Sequence, residues 1–158
     1  MELKRRVVRE RVLQALYAHE LSKEPIEMII DHILIDLKNH KEAFAFACSL
    51  IRKVVEKTKD LDSLIRKRVE HWEFGRLAII DRIILRMSIC ELLYFDDIPP
   101  KVSINEAIEI ARDYSTEKSD KFVNGVLDSI LADLKKEGKL SKSGRGLLDT
   151  AAVKKSPK

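Results

Sequence analysis

Between residues 76 and 95 the chain distributes Leu77, Ile80, Ile83, Ile84, Met87, Ile89, Cys90, Leu93 and Tyr94 around much of the circumference of a helix. A helix apolar on most sides is stable in water only when other elements enclose it, so the chain has to fold around this segment. Asp96-Asp97-Ile98-Pro99-Pro100 stops it, because proline carries no N–H and pushes the residue before it out of the helical region. The 158 residues hold only 5 glycines and 4 prolines, too little punctuation for a sandwich, a barrel or a Gly-rich nucleotide fold. At 45% hydrophobic and 35% charged residues, the composition suits a globular body with a buried core. The expected fold is all-α, with about seven helices.

The enclosing helices can be read in turn. From Leu3 to Leu21 neither Gly nor Pro occurs, and the row spaced by four is Arg5, Arg9, Leu13, Tyr17, Leu21. Leu13, Leu16 and Leu21 are expected to pack on the body while the first two turns, bearing Lys4, Arg5, Arg6 and Arg9, project past it. Pro25 suits the first turn of a second helix, with Ile26, Ile29, Ile30, Ile33 and Leu37 as its apolar stripe, ending near Asn39-His40. A third helix carries Phe44, Ala47, Cys48, Ile51, Val54 and Val55 inward, and a shorter fourth runs from Leu61 to Val69. Arg66-Lys67-Arg68 near the end of that fourth helix reads as dipole compensation and solvation. His71 to Gly75 is a corner anchored by Trp72 and Phe74. After the central helix, Ser103 and Glu106 fit a capping box. The last helix turns Val123, Val126, Leu127, Ile130 and Leu134 inward and stops at Gly138. Gly125, inside it, suggests a close approach by another helix.

The formal charge is +4, unevenly placed. Residues 1–11 hold five bases against two acids and residues 135–158 eight against two, leaving 17 bases and 22 acids between them. The N-terminal arm therefore suggests a polyanionic partner, whereas residues 138–158, rich in Gly, Ser and Lys, read as a basic, flexible tail. Cys48 and Cys90 sit in apolar helical patterns and read as core thiols of a reducing cytoplasm. No apolar run of membrane-spanning length and no apolar signal segment occurs, so neither export nor membrane insertion is expected.

His19, His32, His40 and His71 do not fall at metal-ligand spacing with one another or with the cysteines, and no phosphate-cradling or nucleophile motif is present. No residue is nominated as nucleophile, general base, metal ligand or cofactor ligand. Asp96-Asp97 reads as a turn. Lys118, Lys121 and Phe122 gather two ammonium groups and a ring at the start of the last helix, a pairing suited to the phosphates and unpaired bases of single-stranded nucleic acid. The spacing of Phe122 to Val126 fits a core position equally well.

Gln14-Ala15-Leu16-Tyr17, Ile84-Leu85-Arg86, Glu91-Leu92-Leu93-Tyr94, Asp97-Ile98-Pro99, Val102 to Ala111 and Lys121 to Asp128 resemble the NusB family of bacterial transcription antitermination factors over residues 4 to 134, in the expected order. The resemblance implies two small helical bundles packed across each other within one domain over residues 1–137, divided near residue 70. It implies no enzymatic activity and no cofactor. Its implied partners are NusE, a small-subunit ribosomal protein, a boxA element of nascent RNA, and RNA polymerase with other Nus factors during ribosomal RNA transcription. Carried over by position, the arginine-rich start falls on Arg5, Arg6 and Arg9, the RNA-facing tyrosine on Tyr17, and the lysine and phenylalanine of the last helix on Lys121 and Phe122. Asp81 matches an acidic position near the RNA. Val7 and Val8 make this arm less basic than its relatives, Tyr114-Ser115 replaces a common Phe-Gly, and Lys118 replaces an acidic position. Two other readings are a helical protein–protein adaptor and the NusB-like accessory domain of an RNA methyltransferase. The chain lacks the Gly-rich cofactor domain that the methyltransferase reading needs.

Overall fold

A computed structural model describes residues 3–69 and 74–148. Six α-helices account for most of them, in the order α1 (Arg5–Ser22), α2 (Ile26–Ile33), α3 (Lys41–Arg68), α4 (Ile79–Tyr94), α5 (Pro100–Tyr114) and α6 (Ser119–Lys136). Single 3-10 turns lie at Ile35–Leu37, Phe74–Arg76 and Gly144–Leu147. No strand occurs among the described residues. The third and fourth helices expected from the sequence are joined in α3, whose regular geometry breaks at Lys57 (φ −105°, ψ 15°). The chain divides at that point into two compact units, residues 1–56 and 57–158. Trp72 and His71 of the expected corner lie outside the described residues.

In the first unit α1 packs against α2. Val8, Val12, Leu13, Ala15 and Leu16 of α1, Ile29 and Ile30 of α2, and Ala47, Leu50, Ile51 and Val54 of α3 are buried. Lys23 ends α1 in the left-handed region (φ 63°) and its N–H donates to the His19 carbonyl. The following turn lets Pro25 occupy the cap of α2, where its missing N–H leaves no donor unsatisfied. Two ion pairs clip the surface. Arg52 reaches both oxygens of Glu27 (2.8 and 2.9 Å), tying α3 to α2, and Arg11 holds Asp36 (3.0 Å), tying α1 to the first 3-10 turn. Each arginine's hydrogen bond holds its carboxyl below the ordinary range. Burial pushes the Cys48 thiol up, in keeping with its place inside the helix packing.

In the second unit α4, α5 and α6 pack on one another. Every residue of α4 from Ile83 to Leu92 is buried, as the apolar sequence there requires. The polar groups on this stretch find partners inside the unit. Arg86 forks onto both oxygens of Asp62 (2.7 and 2.9 Å), Ser88 Oγ donates to the Ser103 carbonyl (3.2 Å), and Ser103 Oγ donates to Glu91 Oε1 (2.7 Å). That last contact corrects the capping-box expectation. Helix α5 starts at Pro100, three residues early, because proline supplies the first-turn position, and Ser103 is turned inward to satisfy a buried glutamate.

Helix α6 ends as expected. Gly138 takes φ 67°, its N–H donates to Lys135 O (3.2 Å), and Lys139 N–H donates to Leu134 O (2.9 Å), the paired bonds of a Schellman stop. Gly125 departs from expectation. It is exposed, and among the described residues nothing lies within 4 Å of a Cβ built there, so none of their helices approaches closely at that point.

The segment after Gly138 was expected as a flexible tail, yet residues 142–146 dock on the end of α4. Lys142 Nζ donates to the carbonyls of Glu91 (3.0 Å) and Phe95 (2.8 Å), and Ser143 N–H donates to the Asp96 carbonyl (3.0 Å). Gly146 is buried against the Asp96 backbone, where a Cβ would collide. A cation over the last carbonyls of a helix meets its negative dipole end, and this outweighs the polar composition of the segment.

Replacing Asp62 by Ala leaves the Arg86 guanidinium buried without its counter-ion and is expected to cost about 3–5 kcal/mol in chemical denaturation. Lys142→Ala is expected to lower stability by only about 1 kcal/mol. Its signature is faster cleavage between residues 139 and 148 in limited proteolysis, with helical circular dichroism unchanged.

Candidate nucleic-acid interface

The first group of expected site residues lies at the start of α1. Lys4 caps the helix and is exposed, Arg5 is exposed, and Arg6 is half-buried. Arg9 is only 3% exposed and Val8 is fully buried, so the first two turns do not project past the body. The reason lies in the helix period. Steps of four residues advance about 400°, so a row spaced by four drifts about 40° per step and about 160° over four steps. Its members accordingly run from exposed Arg5 through Arg9 and Leu13 (1% exposed) at the core to Tyr17 (37%) and Leu21 (56%) back in solvent. Leu21 is therefore not a packing residue. Tyr17 shares its face with Arg6 instead, since eleven residues return to within about 20°.

What organises this end of the unit is Phe46 of α3, a residue that the sequence reading did not single out. The Arg5 guanidinium carbon lies 4.0 Å from the ring centroid and that of Arg9 lies 5.4 Å from it. A guanidinium laid on an aromatic face is attracted by the ring quadrupole and keeps its edge N–H groups available to a forked acceptor. The available signal was the spacing Phe46, Leu50, Val54, which marks an inner face of α3 beside the one formed by Ala47, Cys48 and Ile51.

Beside Arg5 an open cleft of about 420 Å³ is lined by Leu3, Arg5 and Val8 from the start of α1 and by His40, Lys41, Glu42 and Ala43 from the start of α3. The His40 carbonyl begins the hydrogen-bond ladder of α3 by accepting from Phe44 N–H (2.8 Å). First-turn amides have no acceptor within their own helix and present partial positive charge. Lys41, exposed on this lip, was not nominated from sequence. Only the fold brings it to Arg5.

The second group lies in the other unit. Lys118 caps α6, Lys121 is in its first turn, both are exposed, and Phe122 is half-buried. Asp81, in the first turn of α4, is 8% exposed and accepts from Ser115 Oγ (2.6 Å) and Ser119 Oγ (3.0 Å). Both of its oxygens are engaged internally, so the structure uses Asp81 to pin the turn before α6 and thereby to position Lys118, Lys121 and Phe122. Ser115 supplies one of these donors and holds the turn through its side chain. Asp120 accepts from the Lys121 N–H (2.9 Å) and also meets Arg112 (3.3 Å), leaving the two lysines as the outward charges of this helix start.

Among the described residues no three His, Cys, Asp or Glu side chains form a group able to hold a metal ion. Among them, too, no helix is long and apolar enough to cross a membrane. The arrangement offers cations and aromatic faces, which is the chemistry of phosphate and base contact.

The model of the NusB family matches residues 6–132. The transcription antitermination protein NusB of Chloroherpeton thalassium is 47% identical over 155 residues, covering 98% of this chain and 74% of that protein. The Salinibacter ruber protein of the same name is 44% identical over 145 residues, covering 91% of each. Among solved structures, T. maritima NusB superposes with a TM-score of 0.79 at 42% identity, over 84% of this chain and 94% of that one. A structure of the antitermination factors NusB and NusE in complex with dsRNA superposes with a TM-score of 0.74 at 27% identity, over 82% and 96%. The sequence match along almost the entire chain and the shared all-helical fold agree, and the chain belongs to the NusB family.

Proposed function

We propose that the protein is a non-enzymatic transcription antitermination factor of the cytoplasm that binds a boxA-like element of nascent RNA together with NusE, and that it joins RNA polymerase and other Nus factors on ribosomal RNA operons. The observation that carries this reading is the Arg5 guanidinium stacked on Phe46 beside a cleft that Lys41 and Glu42 at the start of α3 also line.

Single-stranded RNA brings a flexible phosphate chain and unpaired bases, and each meets a suitable group. Arg5, held flat by Phe46, loses little freedom when it forks onto a phosphate. Lys4, Arg6 and Lys41 add charge beside it. Arg9, almost closed off from solvent, acts from beneath through its positive charge rather than by direct contact. Tyr17 offers an exposed ring for stacking, and the start of α6 carries the exposed Lys118 and Lys121 with the half-buried ring of Phe122. Asp81 serves this second group by holding its turn in place. Phosphate contacts set register without reading sequence, so selection of boxA falls to stacking and to groups supplied by NusE.

Fluorescence anisotropy with labelled boxA RNA, with and without NusE, tests the assignment. Arg5→Ala is expected to weaken binding about fivefold and to flatten the log–log salt slope by about 0.7, the contribution of one phosphate on a single strand. Phe46→Leu keeps buried apolar volume but removes the ring beneath Arg5. It is expected to weaken RNA binding about threefold while helical circular dichroism stays unchanged. Unaltered affinity in both variants at low salt would favour the protein-only adaptor.

A further inference from the structure

The second unit contains a pair of arginines that the RNA-binding groups above do not include. Arg66 lies in the last turn of α3, Phe74 in the 3-10 turn that follows, and Arg82 in the first turn of α4. The Arg66 guanidinium carbon is 4.4 Å from the Phe74 ring centroid and that of Arg82 is 5.3 Å from it, so one ring gathers two cations.

Nearby arginines of the unit have carboxylate partners: Arg68 pairs with Asp133, Arg86 with Asp62, and Arg112 with Glu109 and Asp120. Among the described residues neither Arg66 nor Arg82 has one. Arg82 Nε is moreover buried, with no hydrogen-bond acceptor among the described residues. A buried donor left unsatisfied is costly, and two like charges drawn to one ring repel each other. Both penalties are relieved by the same ligand, an anion with several oxygens that accepts from both guanidinium groups.

We propose that Arg66 and Arg82, braced by Phe74, form a further anion clamp that takes a backbone phosphate of the bound RNA. The proposal rests on the RNA-binding reading and extends it to a place where no contact was assigned. A phosphate suits the site because its non-bridging oxygens can receive forked N–H groups from two directions. Base stacking does not suit it, since guanidinium groups already sit over the ring. RNA is favoured over an acidic peptide by continuity. Arg82 directly follows Asp81, whose carboxylate accepts from Ser119, and Ser119 sits between Lys118 and Lys121 at the start of α6. The clamp is thus linked through one hydrogen-bonded carboxylate to the lysines already placed beside the transcript. It also explains Arg66 better than dipole compensation does, because a charge that only answered a helix end would have no reason to share a ring with an arginine of another helix.

The test uses the full chain and labelled boxA RNA with flanking nucleotides, comparing Arg66→Ala/Arg82→Ala with Arg5→Ala. The double variant is expected to bind about fivefold more weakly and to lose about 0.7 of the salt slope, the share of a single phosphate. Arg66→Lys/Arg82→Lys is expected to recover the slope but only part of the affinity. Arg66→Gln changes an exposed position and keeps the test open should substitution of Arg82 impair folding; alone it is expected to weaken binding about twofold. Full affinity in the double variant, with Arg5→Ala still impaired, overturns the clamp and leaves the RNA-binding reading standing. No loss in any variant overturns both. If the double variant keeps its RNA affinity but loses binding to a poly-glutamate peptide that the unaltered chain retains, the occupant is an acidic protein and the proposal fails.

Discussion

Enclosure of α4 sets the terms for the rest of the second unit. With every residue from Ile83 to Leu92 buried, no polar side chain on that stretch can turn to bulk water, so each must be answered from within. Asp62 answers Arg86, Ser103 answers Glu91, and the Ser103 carbonyl answers Ser88. One turn earlier Ser115 and Ser119 answer Asp81, and this fixes where α6 begins. The cationic start of α6 is therefore placed by hydrogen bonds that originate in the central helix. Arg82 stands apart in this pattern, because among the described residues nothing answers its buried Nε.

Helical class and the central segment were legible because apolar periodicity and proline stops are local signals. The positions that misled show where local signals end. The row Arg5, Arg9, Leu13, Tyr17, Leu21 reads as one face, but a spacing of four overshoots the helical turn and carries the row from solvent into the core and out again. Ser103 and Glu106 have the spacing of a capping box, yet Pro100 starts the helix first and frees Ser103 for a partner twelve residues away. Gly125 proved to be an open surface glycine, because a missing side chain looks the same in sequence whether or not a neighbour fills the gap.

The site shows the same division. Its charge was visible as a cluster of bases near residue 5 and lysines near residue 121, since net charge needs no fold to be counted. Its organisation was not visible. Phe46 and Lys41 come to Arg5's end of the unit from across some forty residues of sequence, and although the spacing of Phe46 marks a face of α3, it does not say that Arg5 lies on it. Asp81 is marked in the sequence only by its match to an acidic position of the family, but its two serine donors lie 34 and 38 residues away and make it a structural pin.

The docking of residues 142–146 relies on main-chain carbonyls of Glu91, Phe95 and Asp96, reached by one lysine and one amide. Every helix end offers such carbonyls, which is why a docked tail and a loose one look alike in sequence. Tension drawn through Leu148 is delivered to the end of the most enclosed helix rather than to α6, from which the segment departs, so whatever is tethered there pulls on the most deeply rooted element of the unit.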